Sequence, residues 1–193
     1  ANLEAKGRFE NNAAVTKEVA LMMDPSADPF AAPAPDADAP IERFGAKDAN
    51  DLSWANLLNA YTCTECGRCT SECPANLTGK KLSPRKIMMD TRDRIEEIGQ
   101  NIATNGSFLD DGKSLLGDYI TNEELWACTS CNACVQACPV DIDPLNIIMK
   151  LRNFATMEES SAPGALNAMM TNVENNGAPW PFNQMDRANW INE

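Results

Sequence analysis

Two cysteine runs constrain this chain more than any other feature. CTECGRCTSECP begins at Cys63 and CTSCNACVQACP begins at Cys128. Both read C-x2-C-x2-C-x3-C-P, and all four cysteines and the proline are offset by 65 residues. Together they use all eight cysteines of the 193-residue chain. Cysteines at three-residue intervals demand a tight loop, so the fold has to be hung on two such loops and on whatever segments lead into and out of them.

The spacing carries its own chemistry. A cuboidal iron–sulfur cluster needs four thiolates aimed at the corners of a compact cube. Three cysteines three residues apart wrap one loop around three irons, and the fourth iron takes a ligand from elsewhere. In two-cluster ferredoxins the fourth cysteine of each run ligates the other cluster. By that rule Cys63, Cys66, Cys69 and Cys138 hold one [4Fe–4S] cluster, and Cys128, Cys131, Cys134 and Cys73 hold the other. The crossing staples the two halves together and brings the clusters within tunnelling reach. Loop N–H groups, and the hydroxyls of Thr64, Ser71, Thr129 and Ser130, are candidate donors to cluster sulfur, which raise its potential. Structural zinc takes well-separated pairs of ligands and fits the triple run poorly. Disulfides fit worse, because residues three apart on tight loops pair badly.

Composition sharpens this. Met and Ala supply much of the apolar content and aromatics are few. Such a core is thin, and two clusters would provide the cross-links it lacks. The net charge is −12, and two oxidised clusters with their thiolates would take it to roughly −16. That argues against nucleic acid as a partner and against docking on an anionic membrane surface. It suits an acidic carrier facing a basic partner surface. Histidine is absent, which excludes Rieske ligation, histidine-ligated haem and imidazole acid–base catalysis from this chain. No phosphate loop or dinucleotide fingerprint occurs, and no carboxylate pair stands out, so no catalytic residue is assigned. No apolar run reaches spanning length and no secretory h-region is present. Thiolates kept reduced point to the cytoplasm or an equivalent compartment. The chain does not begin with Met, as a processed chain or a piece of a longer one would not.

The pattern predicts helices and no strand. Val15, Val19 and Met22 or Met23 form a short apolar stripe, either a frayed surface helix or a partner-docking one. Asp24 to Pro40 is rich in Pro, Ala and Asp and reads as a stiff extended strap that Phe30 would pin, or as a spacer. Asp51 is the expected N-cap of a helix that presents Leu52, Leu57 and Leu58 inward and delivers Cys63. Ser83-Pro84 starts a second helix through Ile87, Met88, Ile95 and Ile98, on which Arg85, Lys86, Arg92 and Arg94 partly balance four carboxylates. Thr121 and Glu124 form a capping box before the second run. Asp143-Pro144 starts a helix with Leu145, Ile148, Met149 and Phe154 inward. A further helix spans residues 165–174, ended by Asn176-Gly177, and a last turn holds Asp186 to Trp190. The repeat is wider than its cysteines: Tyr61 and Trp126 lie two residues before each run, and a proline-started helix follows each. The prolines are offset by 60, which puts five extra residues of the first copy within Ala75 to Lys81. The unit is a duplicated helix–loop–helix with pseudo-twofold symmetry.

The two runs with their helical surroundings resemble the α-helical ferredoxin family, which includes the small iron–sulfur subunit of heterodisulfide reductase. The stretches CTECGRCTSECPANLTGKKLSPRKIM and ELWACTSCNACVQACPVDIDPLNIIMKLR are closest to membrane-associated iron–sulfur oxidoreductases of that type. The resemblance implies an all-α dicluster ferredoxin module over residues 51–160, preceded by an N-terminal segment and strap (1–50) and followed by a helix and docking tail (161–193). It further implies an electron-transfer part of an oxidoreductase complex, at the cytoplasmic face of a membrane through a larger assembly, with a cysteine-rich catalytic subunit or a flavoprotein as redox partner. The full enzymes carry adjacent Cys-Cys pairs in their substrate-reducing part, and none occurs here. A freely diffusing ferredoxin is the alternative, and a purely structural role for the clusters is a third. Trp180, Phe182 and Trp190 serve either docking or the capping of the module's own helices.

Overall fold

In the computed structural model the described residues are 6–9, 11–26 and 43–191. Two proline-started helices organise the first of two compact units, Ala1–Glu158. The helices in chain order are α1 (Ala13–Met23), α2 (Trp54–Thr62), α3 (Arg68–Ser71), α4 (Pro74–Leu77), α5 (Pro84–Asn105), α6 (Asn122–Ala127), α7 (Ala133–Gln136), α8 (Pro144–Met157) and α9 (Gly164–Asn176). Among the described residues there is no strand, only a single bridge between Leu116 and Ile120. The all-α expectation holds for them.

The caps explain why α5 and α8 begin where they do. Proline at the first helical position has φ already set and no N–H to leave unpaired. The Ser83 hydroxyl accepts from Lys86 N at 3.3 Å, and the Asp143 carboxylate accepts from Asn146 N at 3.0 Å. Gly106, with φ of 80°, closes α5. The capping box of Thr121 and Glu124 starts α6 as expected. Asp51 does not cap α2. Ser53 does, its hydroxyl 3.4 Å from Asn56 N, while Asp51 ends a 3-10 turn and accepts from Lys47 N and Asp48 N.

The core lies between α5 and α8. Ile87 and Met88 from α5 meet Ile147, Ile148, Leu151 and Phe154 from α8, with Leu115, Ile120 and Leu125 completing it, and Ile98 is buried further along α5. Met149 is only half-buried, on the other side of α8. α2 buries its small residues, Ala55 and Ala60, together with Asn56. Small side chains let α2 approach α5 closely, and the larger Trp54, Leu58 and Tyr61 then fall on the outer face, each half exposed or more. The inward placement expected for Leu58 is therefore corrected, while Leu52 is buried.

Arg94, expected only to help balance the carboxylates of α5, does far more. It is fully buried and donates to both carboxylate oxygens of Asp48, to both of Asp111 and to the Lys113 carbonyl. Asp48 also accepts from Leu115 N. One guanidinium thus ties the segment before α2, the middle of α5 and the loop after it. Lys86 makes a comparable tie from α5 to the start of α6, pairing with Asp90 at 2.6 Å and with the buried Glu124 at 3.0 Å.

The chain around Gly7 lies on this unit: Gly7 N donates to Asp143 and Asn132 donates to the Gly7 carbonyl. Val19, Leu21, Met22 and Met23 on α1 are exposed. The strap lies outside the described residues apart from residues 24–26, as does Phe30. The second unit, Glu159–Glu193, contains α9, closed by Gly177 at φ of 64°, and a 3-10 turn at Gln184–Ile191. Trp180, Phe182 and Trp190 are exposed there. Among the described residues no helix is long and apolar enough to cross a membrane.

Candidate iron–sulfur centre

The two cysteine loops are built alike. α2 delivers Cys63 and α6 delivers Cys128, each as the extended residue that ends its helix. In each loop the second and fourth residues after that cysteine take positive φ: Glu65 (55°) and Gly67 (79°), then Ser130 (58°) and Asn132 (62°). Left-handed residues inside a turn are how a backbone forms concave nests of N–H groups that receive anions. A one-turn helix follows in each copy, α3 carrying Cys69 and α7 carrying Cys134, and α3 packs on α7. The extra residues of the first copy form α4 and the turn at Gly79 before Leu82.

The loops line two small cavities of similar size. The first is lined by Cys63, Cys66 and Cys69 from one run and by Cys138 from the other. The second is lined by Cys128, Cys131 and Cys134 and by Cys73. The exchange extends past the sulfurs. Ile142 and Pro144 of the second copy wall the first cavity, and Leu82 and Pro84 of the first copy wall the second. Cys69 of one cavity and Cys134 of the other are near enough to act on each other electrostatically.

No disulfide joins any of the eight cysteines. Burial pushes the Cys69 and Cys128 thiols up, and pushes Cys134 up to about 12, with Cys128 and Asp143 adding to it. Such sulfurs ionise only when cations arrive to replace the lost water, as iron does. Exposed Cys66 is held lower, chiefly by the Arg68 backbone N–H. Ser130 N donates to Cys128 Sγ at 3.4 Å and Ile142 N to Cys138 Sγ at 3.3 Å. Among the described residues no three Cys, Asp or Glu side chains are grouped so that they could hold a single metal ion. The sulfurs ring the two cavities, an arrangement that suits a multinuclear cluster.

Of the hydroxyls singled out from sequence, Thr64 lies beside Cys66 and Thr129 lines the second cavity. Ser71 turns away and donates to the Gly67 carbonyl. Four contributors carry no mark in the cysteine runs' spacing. The Thr70 hydroxyl sits beside Cys69. Arg85 and Met88, from the first turns of α5, line the first cavity. Half-buried Arg152 reaches the second loop. For Arg85 and Met88 the signal was the helix start itself, since the first turns of α5 must face the sulfurs whose loop they leave.

Comparison with known proteins agrees with this chemistry. The sequence profile of the 4Fe-4S dicluster domain matches residues 62–142. The probable iron-sulfur-binding oxidoreductase FadF of Bacillus subtilis is 34% identical over 181 aligned residues, covering 79% of this chain and 26% of that protein. A probable membrane-anchored ferredoxin of Chromohalobacter salexigens is 32% identical, over 80% of this chain and 25% of its own length. One subunit of the ferredoxin/F(420)H(2)-dependent CoB-CoM heterodisulfide reductase of Methanosarcina acetivorans is 31% identical, over 56% of this chain and 54% of its own length. The chain therefore spans about a quarter of the first two relatives and about half of the third. It carries a ferredoxin-type domain for two [4Fe–4S] clusters, related to heterodisulfide-reductase-type and membrane-anchored iron–sulfur proteins.

Proposed function

We propose that this chain is an electron-transfer module of an oxidoreductase complex, relaying electrons between a donor and a separate catalytic part. The observation that carries this reading is the reciprocal lining of the two cavities, each with three cysteines of one run and the fourth of the other. In this reading Cys63, Cys66, Cys69 and Cys138 hold one cluster and Cys128, Cys131, Cys134 and Cys73 the other, about a pseudo-twofold axis relating the two halves. Bound [4Fe–4S] clusters supply reversible one-electron storage. The chain's own residues do the rest. Met88, Val140 and Ile142 at one cavity, and Leu82, Leu145 and Ile148 at the other, keep water from the sulfurs. The N–H groups of Ser130 and Ile142 donate to ligand sulfur, which favours the reduced state. Cys66 and Cys131 are the exposed ligands and mark where partners approach. A cysteine-rich subunit or a flavoprotein fits as partner, with a membrane-bound part of the assembly in the manner that one relative's name indicates.

Iron and acid-labile sulfide analysis of anaerobically prepared protein tests the cofactor content: about eight of each per chain are expected, and zinc or a much lower count overturns the reading. Native pull-down tests the module. A stable complex with a redox enzyme is expected, and a lone monomer in cells identifies a diffusing ferredoxin instead.

A further inference from the structure

The duplication repeats one contact with its charge altered. Arg92 lies eight residues after Pro84 in α5, and Arg152 lies eight residues after Pro144 in α8. Each reaches the positive-φ residue two places after the first cysteine of its run. Arg92 Nη2 donates to Glu65 Oε1 at 2.5 Å, and Arg152 Nη1 lies 3.4 Å from Ser130 Oγ. In the first copy the partner is a carboxylate, so the pair is neutral. In the second it is a hydroxyl.

Arg152 has no carboxylate to balance it among the described residues. It donates to the Leu125 carbonyl at 2.8 and 3.1 Å and to the carbonyl of Cys128 at 2.6 Å, and it stacks on the Trp126 ring at 4.9 Å. Burial makes that cation costly, and the nearest negative charge it can meet is the sulfur set of Cys128 and its neighbours. Reducing a cluster adds one negative charge. A fixed cation in a poorly solvated place stabilises the reduced form and raises the potential. Arg92, neutralised by Glu65, gives the first cavity little of this. Exposed Arg85 there is screened by solvent. Asp143 acts on Cys134 with the opposite sign, held by Gly7 N and Asn146 N, so each arginine pair displaces its own midpoint against a fixed background.

We infer that residues 65 and 130 set the potentials of the two clusters separately, Glu65 silencing Arg92 and Ser130 leaving Arg152 active beside the second cluster. This rests on the two-cluster reading above. The test is an anaerobic redox titration followed by electron paramagnetic resonance on the holoprotein and on R152Q, R152K, S130E and E65S, with iron and sulfide counted in each. R152Q and S130E are expected to lower the same one of the two midpoints, each by a tenfold or greater change in its reduced-to-oxidised ratio, ~59 mV for one electron. E65S is expected to raise the other. R152K, which keeps the charge, is expected to hold the wild-type value. Variants with full iron content and unmoved midpoints overturn the inference while leaving the cluster reading intact, as do R152Q and R152K shifting alike. Wild-type protein lacking two clusters fails the earlier reading instead.

Discussion

Replacing Arg94 by Met should cost this fold a large part of its stability. The Arg94 side chain has no exposed surface, and its partners Asp48 and Asp111 retain only 15% and 24% of theirs. Removing the guanidinium leaves two carboxylates facing one another with their shared cation gone, and frees the Lys113 carbonyl as well. Breaking a buried pair by deleting one member typically costs about 3–5 kcal/mol, against a total of roughly 5–15 kcal/mol for a domain. Replacing the carboxylates too, in R94M/D48N/D111N, should recover part of that loss, because the penalty is largely the uncompensated charge. Acid tests the same network. Arg94 holds the Asp111 carboxyl at about 2, against an ordinary 3.8, and solvent screening of this partly exposed carboxylate keeps its contribution to stability modest. A depressed carboxyl stabilises fully above its unfolded value, so this share is present above about pH 4 and is lost as the pH falls towards 2. Anaerobic guanidinium unfolding of the holoprotein at pH 7, followed by far-ultraviolet circular dichroism, measures the first quantity. Stopped-flow pH jumps comparing wild type with D111N measure the second, and the difference between them should shrink between pH 4 and 2. A loss below about 1 kcal/mol for R94M, with the slope of unfolding unchanged, would refute the assignment of Arg94 as the tie between these segments.

Two further substitutions probe how the N-terminal segment and α2 are seated. A Cβ on Gly45 would lie 2.5 Å from the Lys150 carbonyl oxygen and closer still to Phe154 N, both backbone of α8. G45A should therefore destabilise by about 1–3 kcal/mol as the segment is pushed off the helix, and a midpoint within experimental error of wild type contradicts that close approach. Asn56 is buried, donates to Asn146 Oδ1 at 2.9 Å and accepts from Lys150 Nζ at 3.1 Å. N56L should cost about 1–3 kcal/mol through the polar groups it deserts, and thermal melts showing a gain would place the value of that site in packing instead.

How much of this was legible in the sequence depends on whether the signal was local. Ser83-Pro84, Asp143-Pro144, and Thr121 with Glu124 act within one turn of their own position, and the helices begin there. The spacing of the cysteines is local as well, and it indicates the ligand types. Burial of Arg94 is not local. It depends on Asp48 and Asp111 arriving from 46 residues before and 17 after, and a window on α5 shows only one charge among many. The outer placement of Leu58 was hidden for the opposite reason: it reads as core by type, but Ala55 and Ala60 set the contact with α5 by being small. The one-turn helices α3, α4 and α7 are too short for periodicity to reveal. Arg152 carries no local mark either, since its meaning comes from comparing it with Arg92 through the repeat.

The most direct test of the central claim is the pairing of the ligands. Single Cys-to-Ser variants C66S, C131S, C73S and C138S, each titrated anaerobically, report which of the two reduction steps each cysteine governs. Crossed ligation predicts that C73S alters the same step as C131S, and that C138S alters the same step as C66S. If C73S instead alters the step that C66S alters, each run holds its own cluster and crossed ligation is wrong.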